Sequence, residues 1–173
     1  MKKIMFNDKY GLTQAVLEGR KTMTRRVANL PAYIFDWQKY SPYKVGEVVA
    51  VAQNYKDAGF NRLGPLDCHG YDNKMFVSAR LMPHQIRITN VRVERLQDIS
   101  DEDCLREGVY HQPYEQEDND GLTYWKSGYA FKGSSLLYDS PRYAFAALID
   151  KVSGKGTWES NPYVFVYEFE LVK

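Results

Sequence analysis

Apolar residues recur every three to four positions over Leu12, Ala15, Val16 and Gly19, which predicts a helix after a short extended segment at Lys3 to Phe6. Asn7 or Asp8 stands where a side-chain cap belongs, and Gly19 stands where a left-handed residue releases the chain. Residues 20–26 therefore leave the helix as a loop or strand. From Val45 to Ala52 the run opens on a turn glycine and is almost wholly apolar, as in a strand buried on both faces. Met75 to Leu81 and Gln85 to Leu96 also read as strands. In the second of these Ile86 and Ile88 share one parity, while Val91 and Val93 share the other. The switch falls at Thr89-Asn90 and predicts a β-bulge, a device that curves long strands and favours a small barrel over a flat sheet.

Further along, Ser100 caps a short helix with Asp103 at its third position, and the helix stops at Gly108. Residues 110–139 are rich in Tyr, Gly, Ser and acids, too long for a plain connector, and predict a lid, insertion or excursion. Ser140-Pro141 opens the clearest helix, with Phe145, Leu148, Ile149 and Val152 on one stripe and Gly154 at its end. A loop at Gly154 to Trp158 leads into a closing strand, Tyr163 to Leu171. Residues 31–44, aromatic and lacking a period, carry no assignment, and a loop rich in Gly, Asp and Asn is expected from Asn54 to about Asn73.

A chain of 173 residues with 44% hydrophobic content can bury a real core, so disorder as the main state is excluded and one domain is expected. No apolar run reaches the ~20 residues of a membrane span, and the opening residues break too early for a secretory leader. A cytoplasmic protein without membrane partners is expected. Cys68 and Cys104 lack CxxC spacing, so reduced thiols are expected.

The net charge of +1 conceals a strong segregation. Residues 1–26 carry Lys2, Lys3, Lys9, Arg20, Lys21, Arg25 and Arg26 against only Asp8 and Glu18, whereas residues 98–120 are strongly acidic with Arg106 as their one cation. Either the two segments pack on each other, or the basic one faces an anionic ligand.

Several chemistries can be set aside. The scattered His69, His84 and His111 form no HExxH, no deaminase-type HxE with PCxxC occurs, and Gly154-Lys155 lacks the rest of a P-loop, so no metal and no cofactor are expected. What remains is Gly19-Arg20-Lys21-Thr22-Met23-Thr24-Arg25-Arg26, whose cations and hydroxyls suit phosphate or carboxylate; the plainer alternative is a basic turn paired with the acidic segment. Glu107 sits in the last turn of its helix, where the dipole disfavours a carboxylate and raises its pKa unless a cation compensates. Lys21, crowded by Arg20, Arg25 and Arg26, is pushed toward easy loss of its proton. The two make a proton-transfer pair or a surface salt bridge. Thr24 follows Lys21 by three residues, so the two converge only across a turn or bulge, and then form an activated hydroxyl of the Ser-Lys style. Trp125, Tyr129, Phe131 and Trp158, interleaved with Lys126, Lys132 and Lys155, offer a stacking surface for bases or ordinary packing.

The spacing of Gly19, Lys21 and Arg26 as GxKxxxxR, after a short strand and helix, resembles the signature of the ASCH domain, a β-barrel superfamily related to the PUA RNA-binding fold. The resemblance extends through Val45 to Val49, Val91 to Ile99, Glu107-Gly108-Val109 and Gly154 to Pro162, and the later segments are similar to those of ASCH proteins common in bacteriophages and prophages. It implies an α+β fold: a single PUA-like barrel with peripheral helices over 1–173 and insertions at about 54–74 and 110–138. The usual signature has Glu three residues after the lysine, whereas this chain has Thr24. In that respect the run is similar to small bacterial ASCH amidohydrolases that deacetylate N4-acetylcytidine with Lys, Thr and Glu. The resemblance thus implies Lys21, Thr24 and Glu107 as catalytic residues and Arg20, Thr22, Arg25, Arg26 and Trp158 as ligand contacts. Two functions follow from it: binding of RNA or a modified nucleoside in a basic cleft, or metal-independent hydrolysis in the same cleft.

Overall fold

The computed structural model describes residues 1–31, 35–61 and 68–172. Parts of the unassigned stretch and of the loop expected above, 32–34 and 62–67, lie outside the described residues. The chain forms an α+β fold with a mixed five-stranded sheet and peripheral helices. After β1 (Lys3–Ile4) comes α1 (Leu12–Leu17), then β2 (Met23–Val27) and β3 (Val48–Val51). Neither Asn7 nor Asp8 caps α1 through its side chain: the N-cap is Gly11 in the left-handed region, and Asp8 instead accepts from the Thr13 hydroxyl. At the other end Gly19, at φ +72°, turns the chain as predicted. The Lys21 N–H then closes back on the Ala15 carbonyl at 2.9 Å.

A short helix, α2 (Cys68–Asp72), precedes the long β4 (Gln85–Arg95). Between them the strand predicted at 75–81 is absent. Two 3-10 turns, Lys74–Phe76 and Ala79–Leu81, occupy it instead. Met75 and Phe76 are exposed, and the carbonyls of Met75 and Val77 are taken by the Lys3 ammonium rather than by a neighbouring strand. A short apolar run does not distinguish these cases. Helix α3 (Asp101–Arg106) follows, with the Ser100 hydroxyl accepting from the Asp103 N–H at 3.2 Å. The 110–139 excursion contains β5 (Tyr110–His111), β6 (Tyr114–Glu117), β7 (Thr123–Lys126) and β8 (Tyr129–Ala130), paired as β5 with β8 and β6 with β7. Helix α4 (Pro141–Ser153), a single turn α5 (Thr157–Ser160) in place of the predicted loop, and β9 (Tyr163–Leu171) complete the chain.

The sheet runs β1-β3-β4-β9-β2; β1 and β3 are parallel and the other pairs antiparallel. The register between β4 and β9 slips between Ile88 and Asn90, where the apolar phase changes in the sequence. The two outer strands are linked by a side chain: Arg26 of β2 donates to the carbonyl of Met5, the residue after β1. The main core lies between the sheet, α1, α3 and α4, and includes Ile86, Ile88, Phe145, Leu148 and Phe169. Among the described residues no helix is long and apolar enough to cross a membrane.

Candidate functional site

Three local features bring the site together. The left-handed turn at Gly19 swings Lys21 back across the end of α1, before the strand alternation of β2 begins, so strand parity does not separate it from Thr24. Glu107 is the residue after the last turn of α3, followed by Gly108 at φ +112°. Arg25, in mid-β2, also reaches Glu107.

Lys21 Nζ lies 2.6 Å from Glu107 Oε2 and 2.7 Å from the Glu107 carbonyl oxygen, although 86 positions separate the two residues. The other carboxylate oxygen, Oε1, accepts from Arg25 Nη1 at 3.1 Å. Arg25 also bonds Glu94 at 2.6 Å and Asp103 at 2.9 Å. Arg92 binds Glu94, Asp103 and Glu168, and Arg106 binds Glu168 and Asp103. Lys21, Arg25, Arg92 and Arg106 are thus matched in charge by Glu94, Asp103, Glu107 and Glu168. The segregated charges do pack on each other where Asp103 and Glu107 meet the basic turn. This network ties α3 to β2, β4 and β9 and holds Glu107 from one side, leaving its second oxygen to Lys21.

Both members of the pair are almost wholly buried, with side-chain exposures of 2% for Lys21 and 5% for Glu107, so this is not a surface salt bridge. Burial drives the Lys21 pKa below the ordinary lysine value; Glu107 opposes the shift, and Arg26 and Arg25 add to it. The predicted direction stands, but desolvation is its main cause, and the cations that add to it are Arg26 and Arg25. Burial also works against the charge on Arg25, yet Glu107, Glu94 and Asp103 outweigh it and hold the guanidinium pKa above its usual value.

Lys21, Thr24, Arg25, Arg26 and Glu107 line one cavity of about 360 Å³, in the size range of small-molecule sites. Apolar side chains make up much of the rest of its lining: Phe145, Leu148, Ile149 and Val152 of α4, with Leu12 and Phe6. Half-buried Asn7 and exposed Val27 and Ser153 complete the lining, so the cavity reaches solvent. Among the described residues the Thr24 hydroxyl has no hydrogen-bond partner, and Lys21 is not bonded to it. Arg26 lines the cavity with its guanidinium over the Phe6 ring.

The remaining predicted contacts lie elsewhere. Arg20 is at the surface, its Nε 2.7 Å from Glu18. Thr22 Oγ1 accepts from Arg106 Nε at 3.1 Å. Trp158 packs edge-on against Phe145 with Arg142 over its ring, outside the cavity lining. The stacking surface is dispersed as well: Phe131 is a core residue and Trp125 is exposed on β7. Cys104 is buried, and desolvation pushes its thiol up to about 12, which leaves it unreactive. The sequence reading did not assign the α4 wall to the site. Its stripe was visible, but a stripe facing a cavity and one facing the core have the same period.

Two predictions arise here. Between the depressed pKa of Lys21 and the ordinary value of 10.5, the unfolded chain holds a proton that the folded chain has released. The unfolding free energy therefore rises with pH across that window, and below it the cost of a buried ammonium is present in full. Urea unfolding at stepped alkaline pH is expected to show this rise in the native protein and a flatter profile in Lys21→Met. Gly108→Ala puts a Cβ 2.9 Å from Leu12 Cδ2 at a left-handed position and is expected to cost about 1–3 kcal/mol, measured by the same unfolding.

No family model and no curated protein matches the chain. Among solved structures it is similar to the crystal structure of protein EF3133 from Enterococcus faecalis V583, assigned there to the DUF984 family model. That similarity has a TM-score of 0.48 and 16% identity, and covers 99% of this chain and 77% of that one. A likeness at this level carries no argument about function.

Proposed function

We propose that this protein is an ASCH-type module of the PUA-like class, its five-stranded sheet forming the small barrel of that superfamily, and that the Lys21–Glu107 cavity binds a nucleoside, free or within RNA. The observation that carries this reading is the meeting of Lys21 and Glu107 at 2.6 Å on the wall of a cavity open to solvent. The approach of Arg26 to Met5 supports the barrel. The apolar α4 wall suits the face of a base, and Lys21, Thr24 and Glu107 supply donors and acceptors for its polar edge. The rest of the cluster is neutralised internally, so an isolated nucleoside, or a base turned out of single-stranded RNA, fits better than a duplex held by its phosphates.

Titration calorimetry with cytidine and N4-acetylcytidine tests this. Saturable binding is expected in the native protein and in Arg20→Ala, and loss of binding in Lys21→Ala. Absence of saturable binding to either nucleoside overturns the reading.

One observation favours a second reading, amide hydrolysis in the same cavity: the uncommitted Thr24 hydroxyl lines it together with an amine whose pKa is lowered. Neutral Lys21 takes a proton from Thr24 or from a water as it attacks an acyl carbonyl. Glu107 passes the proton to the amine as the C–N bond breaks; where Thr24 is the attacking group, a water then cleaves the acyl ester, releasing the acid and restoring the hydroxyl.

A further inference from the structure

Helix α1 stands between two hollows. Leu12 borders the Lys21 cavity, while Gly11, Thr13, Gln14 and Leu17 border a separate cleft of about 330 Å³, completed by Asp8, Gln53, Asp57 and Lys132. Gln53 follows the end of β3 and is 8% exposed. Its side-chain oxygen is the one buried side-chain nitrogen or oxygen among the described residues that has no hydrogen-bond partner. The amide nitrogen meets no acceptor among them either, and the backbone N–H is spent on the Met82 sulfur at 3.3 Å. A buried amide oxygen left unmatched costs stability, while the side-chain nitrogen, which is not buried with it, is free to donate.

The other polar groups of the cleft indicate the ligand. Asp8 is already engaged, by the Thr13 hydroxyl and by Lys74 at 2.7 Å. Asp57 is exposed, and one of its oxygens accepts from Asn54 Nδ2 at 2.9 Å. Lys132 has no carboxylate within ion-pair distance among the described residues. The cleft therefore offers an acid, a cation and an amide N–H donor, beside the apolar side chain of Leu17.

We propose that this cleft binds a small zwitterion of the α-amino acid type. Its ammonium group donates to Asp57, its carboxylate meets Lys132 and accepts from the Gln53 side-chain nitrogen, and its side chain lies on Leu17. The site is separate from the Lys21 cavity and does not depend on what that cavity binds.

The test is a titration of the ¹⁵N-labelled full chain with L-leucine, leucinamide and N-acetyl-leucine, followed in the amide spectrum. L-Leucine is expected to give saturable shifts at the Gln53 side-chain amide pair and the Leu17 backbone amide. Each blocked form, lacking one charge, is expected to bind about tenfold more weakly or worse. Gln53→Leu removes the response, and Lys132→Gln, at an exposed position that leaves the fold intact, weakens L-leucine by a similar factor while leaving leucinamide unchanged. Equal binding of leucinamide or N-acetyl-leucine overturns the zwitterion. No saturable shift with L-leucine, in a protein whose Gln53 amide is matched by ordered water only, overturns the site.

Discussion

Glu107→Ala is expected to lower the unfolding free energy by about 3–5 kcal/mol, because it leaves the Lys21 ammonium buried with no carboxylate beside it. Arg25 loses one acid but keeps Glu94 and Asp103. The converse change is milder: Lys21→Met removes the buried charge, while Glu107 retains Arg25 at 3.1 Å, so the cost is expected to stay below about 1.5 kcal/mol. Combining Glu107→Ala with Lys21→Met is expected to recover most of the loss, a coupling read directly from a double-mutant cycle of denaturant unfolding. Equal costs for the two single variants, or a Glu107→Ala cost below about 1 kcal/mol, contradict the view that this carboxylate carries the lysine.

The second large effect belongs to the hydrolytic reading. Release of acetate from N4-acetylcytidine by the purified protein is expected to fall about 10²–10⁴-fold in Lys21→Ala, the usual contribution of a positioned general base. Thr24 distinguishes two versions. If its hydroxyl is the nucleophile, Thr24→Ser keeps turnover and Thr24→Ala loses it; if water attacks, both variants keep most of it. Binding without acetate release in the native protein sets hydrolysis aside and leaves the nucleoside-binding reading in place.

How far the sequence goes is clear from particular residues. The β4 bulge is visible because a change of apolar parity has few other causes, and the left-handed turn at Gly19 because few residues but glycine enter that region easily. Lys21 and Glu107 each stand out locally, one by crowding and one by its place at a helix end. Their meeting depends on how α3 docks against β2, which no local pattern encodes. Asp103 shows the same gap: it reads as a residue of the helix cap, yet its carboxylate pairs with Arg25, Arg92 and Arg106, partners drawn from two strands and its own helix. Glu94 and Glu168 look like the polar face of a strand until the β4–β9–β2 register aligns them with those arginines. The aromatic residues mislead for the opposite reason, since Phe131 and Trp125 have similar sequence surroundings and nearly opposite burial.

The most direct test of the central claim is the ¹⁵N-ammonium spectrum of Lys21 recorded while N4-acetylcytidine is added. A resonance protected from water and titrating below the ordinary lysine value, shifted saturably together with the Thr24 amide as the nucleoside enters, is the predicted result. A Lys21 signal that titrates like a surface lysine, or that stays unmoved while shifts appear on another face of the protein, contradicts it.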